Sequence, residues 1–446
     1  MIFLLVSTLM APANLIIAAP DGPLCVRDVG EAVELLAANH SLAIVATPEA
    51  KRIHAIDLMT CEVTWTVPTV GAAGGSFAFG DYFAVEGTSV LDSESAYVTS
   101  VAPDEDAPYG TVTVASFDLD SGDLNWSYSF PDVVGKLSLN EGRLFVLGES
   151  NLVAIDSKTG TVHWIEQITY SGVSWMPELN VQFSAGLVAY FTGYDADPSI
   201  VGPPPYDLPS NDDTAAIVAL DPVSGRRIWT SHFPQTNYFW LSATADETGF
   251  VFVGSQMYRR NDEDHKVIRL NATDGSRVWE QDIEETFEVL NNDIQVAVFD
   301  ADPDHELSDI EVFDCGSGER QFVRPVDDEA WPVLLTNDYV LLEYFWGDDL
   351  DQVEPRTFVA LSLKNWGELW SVTPQGEAKY GEMQLAVRED AIYTMIGNTL
   401  TAIDPIIGTV AWDYQFDASG KQSKLLLTPT TIVVAHAGSM ISIFET

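Results

Sequence analysis

Apolar and polar residues alternate along this chain in short runs, and the runs end at Asp, Asn or Gly. Leu152–Asp156 (LVAID) and Ala216–Asp221 (AIVALD) are typical. A period of two places one face of a β-strand in a core and the other in water. Before Asp156, the runs KLSLN, RLFVLGES and NLVAID predict three strands separated by Asn-Glu-Gly and Glu-Ser-Asn turns. The same triplet, EMQLAV, AIYTMIG and TLTAID, precedes Asp404. Outside the N-terminal segment only Glu31 to Ala38 carries a helical period, so the chain reads as all-β.

One pattern repeats: an apolar run, an Asp, a Gly four residues on, and a Trp four beyond that. The copies run from Asp57 to Trp65, Asp118 to Trp126, Asp156 to Trp164, Asp221 to Trp229 and Asn271 to Trp279. Asp314 to Phe322, Ser362 to Trp370 and Asp404 to Trp412 complete the set. Gly122, Gly160, Gly225, Gly275, Gly318 and Gly408 hold the middle position, which Cys61 takes in the first copy and Trp366 in the seventh. The mean step is about 50 residues, in the range of propeller blades.

Each position has a physical task. Asp or Asn bonds its own backbone two residues on and starts a turn. Gly adopts the left-handed conformation that closes the turn without steric cost. Trp supplies a rigid indole that fills the space between stacked sheets. Three strands plus the Trp strand make one four-stranded antiparallel blade. A ring of blades then buries the faces that a lone sheet cannot. The predicted fold is an all-β propeller of eight blades, one per motif. Counting strands gives nine, because LLLTP, TIVVAH and MISIFE follow Trp412 and the segment around Cys25 could supply a fourth strand. Pairing the chain termini would close the ring and remove its free edges. The longer spacings fall at Ala102 to Tyr109, Asp195 to Asp213 and Gly347 to Arg356, read as surface loops within one domain spanning 21–446.

Residues 1–20 are apolar and uncharged, with Ala11-Pro12-Ala13 as a small-residue cleavage pattern. They read as a signal peptide or a membrane anchor, and both place the rest of the chain outside the cytoplasm. Membrane contact is expected only through that segment if it is uncleaved. With 67 acidic and 21 basic residues the net charge is −46, which argues against nucleic acid and anionic membrane surfaces as partners. The charge is spread along the chain, which favours solubility over a single acidic binding face. Cys25, Cys61 and Cys315 form no CxxC pair, and an odd count allows at most one internal disulfide, whose connectivity stays open.

The pattern resembles the pyrroloquinoline-quinone-like (PQQ) repeat family, over roughly Ser41 to Thr446. That family joins quinoprotein alcohol dehydrogenases and a non-enzymatic propeller lipoprotein of the outer-membrane assembly machinery. The resemblance implies, for the enzymes, a quinone capped by a disulfide of adjacent cysteines and a Ca²⁺ site of Glu, Asn and Asp. This chain has no adjacent cysteines and no CxxCH haem motif. The lipoprotein branch carries a cysteine just after its signal, which is also missing here. The expectation is a cofactor-free, non-catalytic propeller with a protein partner, in which PQQ and Ca²⁺ have no role. Two alternatives are a PQQ- and Ca²⁺-dependent dehydrogenase and a Ca²⁺- or carbohydrate-binding module.

Few residues offer other chemistry. Asp300, Asp302 and Asp304 alternate as carboxylates do in Ca²⁺ loops, yet the Gly and distal Glu of such loops are missing, so a solvated hairpin tip is the plainer reading. The acidic tips 261–265 and 348–351 read the same way. The histidines, His40, His54, His163, His232, His265, His305 and His436, include no pair at metal-ligand spacing. No GxSxG, Walker or dinucleotide-binding motif is present. Pro203 to Tyr206 is a stiff segment suited to a partner contact. Trp175, Trp240 and Trp346 lie outside the motif, and Trp175 and Trp346 are candidate exposed aromatics.

Overall fold

The computed structural model describes residues 20, 22–70, 72–73, 76–79, 83–86, 89–104, 107–130, 134–148, 150–168, 181–192, 215–233, 238–256, 265–283, 286–292, 294–300, 307–327, 330–345, 355–376, 384–388, 390–417, 424–436 and 438–445. Among these residues every regular element is a strand, and the strands form nine antiparallel blades. Blade 1 comprises Glu34–Ala38, Leu42–Thr47, Arg52–Asp57 and Val63–Pro68 in spatial order. Blade 3 (Val134–Asn140, Arg143–Gly148, Asn151–Asp156, Val162–Gln167) repeats that order, and so do blade 4 (four strands between Gln182 and Phe233), blade 5 (between Tyr238 and Ile283), blade 6 (between Thr286 and Asp327), blade 7 (between Ala330 and Val372) and blade 8 (between Gln384 and Gln415).

Blade 9 differs. Lys424–Leu427, Thr431–His436 and Met440–Glu445 come from the end of the chain, and Cys25–Asp28 pairs with Met440–Glu445 as the fourth strand. The ring therefore holds nine blades, as strand counting gives, and not the eight that motif counting gives. The ninth blade has no motif because its third and fourth strands come from opposite parts of the chain and share no turn.

First strands of neighbouring blades touch one another, in turn through blades 9, 1, 2 and 3, through blades 4, 5, 6 and 7, and between blades 8 and 9. First strands thus lie on the inner side of the ring and the Trp-bearing fourth strands on its rim. Second strands are buried on both faces. In Leu42–Thr47 every residue is buried: Leu42, Ile44 and Ala46 pack toward blade 2, while Ala43 and Val45 pack toward blade 9. Such a strand reads as a continuous apolar run. The fourth strands bury alternate residues, as in Val63–Pro68 and Val410–Gln415.

Two sequence expectations are corrected. Glu31 to Ala38 is not helical: Glu34–Ala38 is the inner strand of blade 1, and its adjacent Leu35 and Leu36 face opposite neighbours. Ala102 to Tyr109 is not a plain loop either. Strands Ser95–Asp104 and Ala107–Asp118 continue through it as one long hairpin of blade 2. In the same blade the inner strand is split into Ala72–Ala73 and Ser89–Leu91, and a separate hairpin, Ser76–Phe79 with Phe83–Glu86, lies between the two pieces. Residues 1–19 lie outside the described residues.

Candidate functional site

The repeat motif builds one recurring structure, a dock between blades. In each of the eight copies the middle residue donates its N–H to the carbonyl of the first, as Gly122 does to Asp118 at 2.9 Å. The first residue donates to the carbonyl five residues on, as Asp118 does to Asp123 at 2.9 Å. In Asp118, Asp221 and Asp314 the carboxylate accepts from the backbone N–H of the Ser three residues on and from its hydroxyl, at 2.7–2.9 Å. The backbone bond is the leading cause holding these carboxyls below the usual range, with the hydroxyl next.

The middle residue has a left-handed backbone throughout: φ is +75° at Gly122, +55° at Cys61 and +57° at Trp366. Gly is needed for a second reason. A Cβ on Gly122 would lie 2.7 Å from the Trp65 ring, and one on Gly160 would lie 2.5 Å from Trp126. Gly225, Gly275, Gly318 and Gly408 stand in the same way beneath Trp164, Trp229, Trp279 and Trp370.

Each of these indoles then donates to the carbonyl that follows the turn's first residue in the next blade. Trp65 Nε1 bonds Leu119 O at 2.8 Å, Trp126 bonds Ser157 O at 2.8 Å and Trp229 bonds Ala272 O at 2.8 Å. Trp164, Trp279 and Trp370 reach Pro222, Cys315 and Pro405 at 3.1, 2.8 and 3.2 Å. A β-bulge beside each motif Trp, such as the shift between Ala55 and Ile56 opposite Trp65, bends the rim strand at that point. Sequence reasoning assigned the indoles to packing but did not identify the carbonyl each one engages. The recurrence of an acceptor one residue after the Asp is invisible in side-chain identity.

Three junctions depart from the pattern. Phe322 stacks on Trp366, with ring centroids 4.2 Å apart and planes 2° from parallel. The two irregular motif residues therefore meet: a smaller ring in the Trp position faces a larger one in the Gly position. At the ring closure, Cys25 and Cys61 form a disulfide with Cα atoms 5.8 Å apart. Trp412 has no Gly beneath it, because blade 9 has no turn there, and packs instead with Leu425, Ile432, Val434 and Phe444.

Buried polar groups also bond across the blades. Arg269 and Asp246 form a buried ion pair at 2.6 Å across blade 5, and Arg269 also meets Cys315 Sγ. His436 bonds Ser442 Oγ at 2.8 Å and packs on Phe416, and burial pushes its pKa down to about 4. Asp300 ends the strand Gln295–Asp300, while Asp302 and Asp304 lie outside the described residues, as do Pro203–Tyr206, 261–264, 346–354 and Trp175. Among the described residues no three His, Cys, Asp or Glu gather as a metal site. The disulfide lies on the outer rim, and six of the seven motif indoles each have one face on a glycine of the next blade.

The rim carries exposed aliphatic side chains: Leu124, Ile165, Val278 and Val323 on fourth strands, and Met59 and Val223 in motif turns. Among the described residues two groups of four stand out: Leu369, Ile406, Ile407 and Val410 around blades 7 and 8, and Leu24, Val26, Met59 and Val70 around blades 9 and 1.

The similarities to known proteins follow the same architecture. A family model described as outer membrane protein assembly factor BamB matches residues 49–191 and 213–338, more than half of the chain. No curated protein matches the sequence. Among solved structures, a eukaryotic initiation factor shares 12% identity at a TM-score of 0.55, covering 91% of each chain. BamB from Moraxella catarrhalis shares 14% identity at 0.48, covering 80% of this chain and 96% of its own. The quinohemoprotein alcohol dehydrogenase of Comamonas testosteroni shares 11% at 0.49, covering 95% and 76%. At such identities structural likeness speaks to fold alone. The motif spacing, the dock that it builds and the extent of the family match lead to one conclusion: the chain belongs to the PQQ-like repeat propeller family described as outer membrane protein assembly factor BamB.

Proposed function

We propose that this protein is an extracytoplasmic, non-catalytic propeller that binds a protein partner. The observation that carries this reading is the engagement of the motif indoles. The aromatic faces that a planar cofactor would need are turned onto glycines of the neighbouring blades and hydrogen-bonded to their backbones. The repeat builds the ring and leaves the rim and loops for recognition. The family description, an assembly factor, favours a protein partner. The Cys25–Cys61 disulfide supports an oxidising compartment. The exposed aliphatics of blades 7 and 8 are the surface we assign to the partner, since exposed apolar groups on an otherwise acidic protein mark contact sites.

The test is co-purification from the cell envelope with wild-type protein and with a Leu369→Asp/Ile407→Asp variant. The reading expects a partner that the wild type retains and the variant loses, with both proteins equally folded. Equal retention by both would remove the rim assignment. No partner with either would remove the scaffold reading.

A further inference from the structure

The disulfide occupies the geometrical place of a Trp–Gly dock. In blade 3 Trp164 pairs with Ala154, two residues before Asp156. In blade 9 Cys25 pairs with Ile443, two residues before Glu445, at the same register of a third strand with the same burial pattern from its first to its fifth residue. Cys25 therefore stands where the other rim strands carry Trp. Cys61 stands where the next turn carries Gly, with φ of +55° and the same backbone bond, Cys61 N–H to Asp57 O at 2.9 Å.

We propose that Cys25–Cys61 is a redox-controlled clasp: a covalent substitute for the dock at the junction of blades 9 and 1, whose reduction releases the N-terminal rim strand and opens the ring. This concerns the ring alone and does not rest on the scaffold reading. The strand Cys25–Asp28 has four residues, three of them exposed, and neither Leu24 nor Val26 is buried. No indole seats it. Apart from the disulfide, it is held by its ladder to Met440–Glu445, by Leu24 N–H to Ile443 O at 2.7 Å and Val29 N–H to Ser439 O at 3.0 Å, by Ser439 Oγ donating to Asp28 Oδ1 at 2.8 Å, and by partial burial of Cys25 and Val29. A short strand with mostly exposed side chains and little apolar burial opens at small cost. Loss of the strand would uncover the edge of Met440–Glu445, and open edges recruit other strands.

The chemistry is an exchange with a dithiol. A thiolate of the reductant attacks the sulfur of Cys25, the less buried partner, to form a mixed disulfide, and Cys61 leaves as the thiolate. The second thiol of the reductant then displaces Cys25. The reductant ends as a disulfide and its two protons end on Cys25 and Cys61. A chain still in a reducing compartment holds an unclasped ring, and export to an oxidising one fastens it.

The experiment is hydrogen exchange by mass spectrometry on the full protein, with and without dithiothreitol, with thiol titration to confirm that two new thiols appear. Peptides covering 24–29 and 440–445 should exchange on the order of 100-fold faster on reduction, while Val162–Gln167 in blade 3 stays protected. A Cys25→Trp/Cys61→Gly variant should keep the 24–29 strand protected whether or not dithiothreitol is present. Unchanged protection in the fully reduced wild type overturns the proposal, as does loss of protection in blade 3 together with blade 9. A double variant as unprotected as the reduced wild type overturns the equivalence with a dock.

Discussion

Phe322 lies flat on Trp366, which occupies the turn position that Gly holds in six of the eight motifs. The indole of Trp366 supplies, from the turn position, a ring face for the smaller Phe322 to stack on. The nine junctions thus use four solutions to one packing problem: an indole over Gly at six, and two stacked rings, a disulfide and the turn-free packing of Trp412 at one each.

The stacked pair yields a double-mutant cycle. Trp366→Gly alone should cost about 1–3 kcal/mol, because the cavity beside Phe322 outweighs the relief of left-handed backbone strain. Phe322→Trp alone should overpack the junction at a similar cost. The double variant rebuilds the common dock and should recover most of the loss, a coupling of about 1–3 kcal/mol by urea denaturation.

At a regular junction the indole and the glycine should each be indispensable. Trp229→Ala should destabilise by about 3–5 kcal/mol, and Trp229→Phe by about 1 kcal/mol more than its lost volume implies, since Ala272 O loses its donor. Gly275→Ala should also destabilise strongly, because φ is +69° and the new methyl would enter the Trp229 ring. Thermal melts of the three variants check this.

Much of this was legible in the sequence. The spacing from Asp to Trp is fixed because one turn, with one pair of backbone bonds, must be repeated in every blade. The ninth blade was harder to read because its rim strand comes from the N-terminal part of the chain and lacks both motif and Trp. Glu34–Ala38 reads as helical because a strand buried on both faces loses its alternation. The pairings Phe322–Trp366 and Cys25–Cys61 were hidden since each joins residues from different blades. Two irregular residues in successive motifs were the available hint for the first.

The buried pair of Arg269 and Asp246 should be intolerant of single truncation. Asp246→Ala would leave the guanidinium, 6% exposed in its side chain, without its carboxylate. The expected loss is about 3–5 kcal/mol by chemical denaturation, with Arg269→Met/Asp246→Leu much closer to wild type.

His436 should remain neutral well into the acid range, with an NMR-detected pKa of about 4, set by burial. The folded pKa lies below the unfolded value of about 6.5. Its contribution is therefore fully present above pH 6.5 and is lost as pH falls toward 4. A His436→Gln variant should show a flatter stability profile across that window.

The central claim is that the ring is a scaffold that does not use a quinone. Its most direct test is a thermal melt of the purified protein with pyrroloquinoline quinone plus Ca²⁺, with Ca²⁺ alone, and with EDTA. The account predicts the same melting temperature in all three conditions. A rise of several degrees only when quinone is present, as binding of a ligand to the folded state would produce, would contradict it.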